Sequence, residues 1–445
     1  MSPRPKFSDR DLIKLILPLF AERLLSMLVG VVDTLMVSYV GEAAVSGISL
    51  INQLNNVFIF IFGAAASGGT VIASQYLGKR DRENSGLAAS QLIMITMLIA
   101  VFAMAFSVIF RKPILSLLFA KVENDVMQAS DTYMILSALS FPALALYNSD
   151  TAIFRSIGNT SAIMKISIFM NVINVLGNTV GIFVLNLGVA GVAVSTLLSR
   201  VIAAVISLIL VINNADIKVC RKKILMWDNA MLKRIFGIAV PSGVETGVFQ
   251  LSKVAISSIV ALFGTIQIAA YAAAQNIWSL GSLFCIAMGY AFTTVIGQCI
   301  GANNITAAQY YSRKMLRITY IGSFLWNGVI IAFIPFILGM YNFSTETNRL
   351  IFILVIIMNI CNSIFCPLDF SLSDGLRAAG DAKYTMLSSV IASVICRIMF
   401  SVLFGITLKM GVMGITAAMI CDRIIKALLI FVRYKNGKWT KYKLI

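Results

Sequence analysis

Pro18 and Glu22 recur 223 residues later as Pro241 and Glu245, and the match continues along the chain. Gly41 recurs as Gly264, Thr70 as Thr293, Gln75 as Gln298 and Gly78 as Gly301. After a slip of one residue, Arg155 and Gly158 recur as Arg377 and Gly380. The original spacing then returns, with Gly188, Gly191 and Arg200 matching Gly411, Gly414 and Arg423. The repeated stretches are apolar and long enough to cross a bilayer. A chain so constrained builds one architecture twice. Two homologous membrane halves are the usual build of a protein that rocks one half against the other around a central site.

Composition agrees with the membrane reading. A hydrophobic content of 59% against 12% charged residues, and a mean hydropathy of +0.90, exclude an ordinary water-soluble globule. Twelve spans are predicted, near 12–39, 51–76, 87–110, 130–154, 161–185, 190–212, 233–263, 268–298, 308–338, 348–374, 383–406 and 411–434. Each can cross a hydrocarbon core of about 30 Å at a helical rise of about 1.5 Å per residue. Lipid offers no partner to free backbone groups, and the runs are too long for barrel strands, so an all-α integral membrane fold follows. Six spans per half is an even number. The two six-helix bundles are therefore expected to be related by a pseudo-twofold axis along the membrane normal. The division is 1–212 for the first half, 213–232 for a cytoplasmic linker and 233–445 for the second half.

The formal net charge of +17 reports orientation rather than nucleic acid. Lys79, Arg80 and Arg82 share one loop, Lys218, Arg221, Lys222 and Lys223 another, and Arg313, Lys314 and Arg317 a third. Arg433, Lys435, Lys438, Lys441 and Lys443 close the chain. The intervening loops, such as 39–47 and 264–267, hold almost no Lys or Arg. That asymmetry places both termini in the cytoplasm of a multi-pass protein in contact with anionic lipid. The seven cysteines show no CxxC or metal spacing and imply no disulfide framework. The first apolar run is broken by Glu22-Arg23 and lacks a small-residue cleavage site, so it reads as a span rather than a signal.

Charges at span depth cost about 2.5–3.5 kcal/mol each on insertion scales and therefore line a cavity or pair with one another. Counting from the outer span ends brings four polar residues of the first half to a common depth. Asp33 lies six residues inside, Asn178 seven and Thr196 six. At helical rise this is about 10 Å below the outer surface. Asn174 is one turn deeper than Asn178 on the same face. One carboxylate, two amides and a hydroxyl form a hard-oxygen set suited to Na⁺, or a hydrogen-bonded network around a protonatable Asp. The same residue types also serve as glue between helices. Histidine is absent, so any proton coupling must use carboxylates. The second half carries Glu245, Lys253, Asp369, Asp374, Arg397, Asp422 and Arg423 and does not copy Asp33, whose counterpart is Ile256. This set reads either as a second site or as a self-neutralising network. Pro18 and Pro241 lie inside the first helix of each half, where a proline breaks one backbone bond and makes either a fixed kink or a hinge.

The run from Pro18 to Glu22, Val31-Val-Asp-Thr-Leu-Met-Val and Tyr39-Val-Gly resemble the first helix of multidrug and toxic compound extrusion (MATE) transporters. So do Asn174-Val-Leu-Gly-Asn, the stretch 188–196 and Leu376-Arg-Ala-Ala-Gly-Asp. The resemblance covers nearly the whole chain. It implies export of amphipathic, mostly cationic, organic compounds in exchange for Na⁺ or H⁺, by alternating access. It implies no enzyme activity and no cofactor beyond the coupling ion. By the same likeness Asp33, Asn174, Asn178 and Thr196 would form the cation site and Pro18 the bend of the first helix. The implied setting is a bacterial cytoplasmic membrane, with small-molecule drugs and lipid as partners and a monomer as the working unit. Two positions depart from the family. Asn178 stands where one branch has Asp. Phe249 stands where another branch has a Glu eight residues after the proline, while Glu245 is four after it. Lys253 is unusual in an exporter of cations. It would neutralise Asp369 or Glu245, or else favour anionic or zwitterionic substrates. A lipid-linked saccharide flippase of the same superfamily is the alternative function.

Overall fold

The computed structural model describes residues 7–119, 123–217, 219, 226–339, 343–442 and 444–445. The basic residues Lys218, Arg221, Lys222, Lys223 and Lys443, with most of the middle of the expected linker 213–232, lie outside the described residues.

Twelve long helical segments follow one another, with a short helix Arg111–Phe119 between the third and fourth and a 3₁₀ turn Lys438–Lys441 after the last, and no strand occurs among the described residues. The first six are α1 (Asp9–Ser38), α2 (Glu42–Gly78), α3 (Arg82–Ile109), α4 (Asn124–Leu139 and Phe141–Ile157), α5 (Thr160–Val184) and α6 (Val189–Ile212). The next six are α7 (Asn229–Phe263), α8 (Thr265–Gly301), α9 (Ile305–Gly339), α10 (Thr345–Ala378), α11 (Ala382–Thr407) and α12 (Gly411–Lys435). Ten of them are long and apolar enough to cross a membrane, and the bent α4 pair makes an eleventh. The twelfth, α12, is 25 residues long and less apolar because it carries Asp422, Arg423, Lys426, Arg433 and Lys435. The fold is thus all-α and membrane-embedded.

Local sequence explains the irregular places. The two parts of α4 meet at 46°. Pro142 sits in the first turn of the second part, where it donates no backbone bond and crowds the turn before it. In α10 the turn Pro367–Leu372 widens to π geometry, again beginning at a proline without an N–H. The repeated glycines also have a physical reason. Gly158 and its counterpart Gly380 end helices at φ 88° and 107°, where a side chain is strained.

The chain forms two compact units. The first comprises Asp9–Gly243. In it α1 packs on α5, α5 on α6, and α2 on α3 and both parts of α4. A Cβ added to Gly191 of α6 would lie 2.8 Å from the Gly181 carbonyl carbon of α5, so these helices cross backbone to backbone. The second unit comprises Val244–Ile445 with Phe7 and Ser8. Here α8 packs on α9 and α10, and α12 packs on α10 and α11. Gly414 repeats the close crossing: a Cβ there would lie 2.6 Å from the Phe404 carbonyl group. Apolar side chains such as Phe102, Leu251 and Phe336 are 70% or more exposed, as expected where the solvent is lipid rather than water.

Candidate functional site

In the first unit, α1, α5 and α6 bring Asp33, Asn174, Asn178 and Thr196 together. Asn178 is fully buried and its Nδ2 donates to Asp33 Oδ1 at 2.9 Å. The Asn174 amide satisfies its surroundings when its nitrogen faces Asp33, donating to Oδ1 at 2.9 Å and Oδ2 at 3.1 Å. Its oxygen then accepts from Thr196 Oγ1 at 3.3 Å. Asn174 and Asn178 share a face because they are four residues apart. Asn178 Oδ1 is buried and accepts no hydrogen bond.

Arg200, one turn beyond Thr196 on α6, acts on Asp33 through its charge. Its Nη1 donates to Ser140 Oγ at 2.7 Å, at the bend of α4. Tyr133 donates to Asn52 Oδ1 at 3.3 Å and feels both Asp33 and Arg200. The first-unit site is therefore one carboxylate held by two amides, with one guanidinium at a distance. Two further oxygens belong to the cluster: Thr196 Oγ1, in contact with the Asn174 amide, and Asn178 Oδ1, which accepts no hydrogen bond. That donor set fits a small hard cation or a proton, given that a rotated amide offers oxygen where it offered nitrogen.

The second unit is arranged differently. Arg423 pairs with Asp369. Lys426 reaches Asp369 at 2.8 Å and Glu245 at 3.1 Å. Arg377 then bridges Glu245 at 2.7 Å and Asp374 at 2.6 Å. Ser389 Oγ donates to Glu245 Oε1 at 2.6 Å. Six charges thus alternate in sign from Arg423 to Asp374 and cancel. A separate pair, Arg397 with Asp422, lies at 2.5 Å with both side chains 2% exposed. Asp369 owes its position to the widened turn of α10, which carries it to full burial.

Lys253 pairs with neither Asp369 nor Glu245, because other cations already hold both. Its Nζ stands over the Phe249 ring at 5.1 Å and the Trp278 ring at 6.0 Å. Arg397 and Arg423 face the same Phe249 ring at 5.2 and 5.7 Å. A cation over a ring gains about 0.5–2 kcal/mol. That falls short of the roughly 2.5–3.5 kcal/mol cost of a charge at span depth. Lys426 was missed by the sequence reading, although it lies three and four residues after Arg423 and Asp422 and so on their face of α12. Among the described residues, no group of three or more His, Cys, Asp or Glu side chains could hold a metal ion.

Comparison with known proteins follows the same repeat. The family profile described as MatE matches residues 18–180 and again 241–403. The uncharacterized transporter YisQ of Bacillus subtilis strain 168 is 29% identical, over 98% of this chain and 96% of its own length. The probable multidrug resistance protein NorM of Thermotoga maritima is 25% identical, over 97% and 93%. A solved MOP superfamily transporter from Pyrococcus furiosus Vc1, described as having a binding pocket of reverse polarity, superposes with a TM-score of 0.88. It is 16% identical and covers 97% of each chain. These relatives are transporters, not enzymes.

Proposed function

Because the chain belongs to the MatE family of membrane transporters, we propose that it is a secondary multidrug exporter. It moves amphipathic organic compounds out of the cell in exchange for inward Na⁺ or H⁺, by alternating access. The observation that carries the coupling is the Asp33 cluster, one carboxylate held by the two amides of Asn174 and Asn178.

The mechanism uses those amides as reversible partners. With Asp33 ionised, both donate N–H groups to the carboxylate. Rotated, they present oxygens that can share a cation with Asp33 or accept the O–H of its protonated form. Thr196 Oγ1 supplies a further oxygen, and Asn178 Oδ1 is an acceptor already without a donor. Arg200 supplies the countercharge once the cation has left. Pro18 and Pro241 act as hinges in α1 and α7, both of which run on through the proline. The two homologous halves, 1–212 and 233–445, are the parts that rearrange, joined by the linker 213–232. One charge crossing about 100 mV supplies about 2.3 kcal/mol, roughly fifty-fold in substrate concentration, so the coupling is energetically sufficient.

The basic loops support a cytoplasmic placement of both termini in a bacterial inner membrane, with the monomer as the working unit. Family likeness favours mostly cationic drugs, with no organic cofactor. The test is dye efflux from everted vesicles or proteoliposomes under imposed Na⁺ or H⁺ gradients, using fluorescent amphipaths of both charges. Gradient-driven movement of any of them supports antiport. No movement under either gradient, with movement of a lipid-linked saccharide instead, would replace it with the flippase reading.

A further inference from the structure

The interior of the second unit departs from what an exporter of organic cations needs. Each of its carboxylates is already engaged. Asp369 and Glu245 are each held by two cations, Asp374 by Arg377 and Asp422 by Arg397. The residue left over is a cation. Among the described residues Lys253 makes no ion pair, and the charged groups that act on it are Arg423 and Arg397, both positive.

We propose that Lys253 and Arg423, gathered around Phe249, Trp278 and Phe370, form the substrate-binding face of this half, with the buried Arg397 behind it, and that it takes aromatic organic anions. Arg423 covers the Trp278 and Phe370 rings, each at 4.9 Å, and Lys253 stands over Phe249. An incoming cation would find the ring faces taken and a surplus positive charge. An anion would neutralise Lys253 while its apolar body lies along the aromatic edges. Discrimination then comes from repulsion of the wrong sign as much as attraction of the right one. The low dielectric of a membrane interior sharpens both effects. Lys253 is ten residues before the C-terminal end of α7, or about 15 Å along the helix at helical rise. On the transporter reading that is well within the hydrocarbon depth. The inference rests on the transporter reading for its role, but the binding preference is measurable without transport.

Tetraphenylborate and tetraphenylphosphonium have nearly the same shape and opposite charge, so together they isolate the sign. Binding of each to purified full-length protein in detergent is followed by tryptophan quenching, against protein-free micelles. The expected result is that wild type binds the borate about tenfold more tightly than the phosphonium. Lys253→Met should remove most of that preference, Lys253→Arg should keep it, and the melting temperature should hold in both. Wild type binding the phosphonium as well as or better than the borate overturns the proposal, whatever the variants do. An unchanged ratio in folded Lys253→Met also overturns it. Asp33→Asn separates the two claims: it should leave the binding ratio intact while abolishing gradient-driven transport. In wild type, a borate preference without any coupled transport would sink the antiport reading alone.

Discussion

Removing one member of the Arg397–Asp422 pair isolates the energetics of the second unit's interior. Both side chains are 2% exposed and Nε lies 2.5 Å from Oδ2, so neither charge can fall back on water. Asp422→Leu leaves the guanidinium buried without its carboxylate, which costs about 3–5 kcal/mol in pairs of this kind. Arg397→Met strands Asp422 in the same way and also lifts a cation from the Phe249 ring. Changing both removes the two charges together and leaves apolar side chains of similar reach. The double variant should lie between wild-type stability and about 1–4 kcal/mol above it. The double-mutant cycle therefore has a coupling energy of several kcal/mol, far beyond the few tenths found for independent sites. The assay is the thermal midpoint of purified protein in detergent at one fixed scan rate, because unfolding of such chains is rarely reversible. Singles that are mild, or a double variant that loses the sum of the two, would refute the claim that this pair is a desolvated unit.

Two further perturbations probe the first unit. Gly191→Val pushes a branched side chain into the Gly181 backbone at the α5–α6 crossing and should cost about 1–3 kcal/mol. Gly63→Ala, which meets nothing within 4 Å, serves as the neutral control in the same melt. Asp81 caps α3 by accepting from the Asn84 backbone N–H at 3.0 Å and side-chain amide at 2.7 Å, and Asp81→Ala should cost about 1 kcal/mol. The Asn84 side-chain hydrogen bond, then its backbone one, hold the Asp81 carboxyl below its ordinary range. Its contribution is thus present above the unfolded-state pKa, about 3.9, and lost as pH falls through the folded one. The stability gap between wild type and Asp81→Ala should close in acid, and a gap that widens there would contradict the capping account.

Much of this was legible in one dimension. Helices at lipid depth are long apolar runs, so span number and order follow from counting. The Asp33, Asn174, Asn178 and Thr196 neighbourhood followed from depth, because rise per residue converts position into height. The α4 bend was less visible: the run 130–154 reads as one span, while the chain breaks beside Pro142 and extends helix outward to Asn124 and Ile157. Pairing in the second unit was not legible. Which carboxylate meets which cation depends on helix rotation and on the widened turn at Pro367–Leu372, neither of which periodicity specifies. For Lys253 two alternatives stood open, neutralising Asp369 or Glu245 or favouring anionic or zwitterionic substrates; in the structure Arg377, Arg423 and Lys426 hold those carboxylates instead.

The proposed coupling of transport to a cation gradient runs through the Asp33 cluster. Its most direct measurement is substrate movement in proteoliposomes under an imposed Na⁺ or H⁺ gradient, comparing wild type with Asp33→Asn at equal folded protein. The account predicts gradient-driven transport in wild type with one of the two ions, and transport lost in Asp33→Asn while substrate binding persists. Transport that remains gradient-driven in folded Asp33→Asn would contradict it.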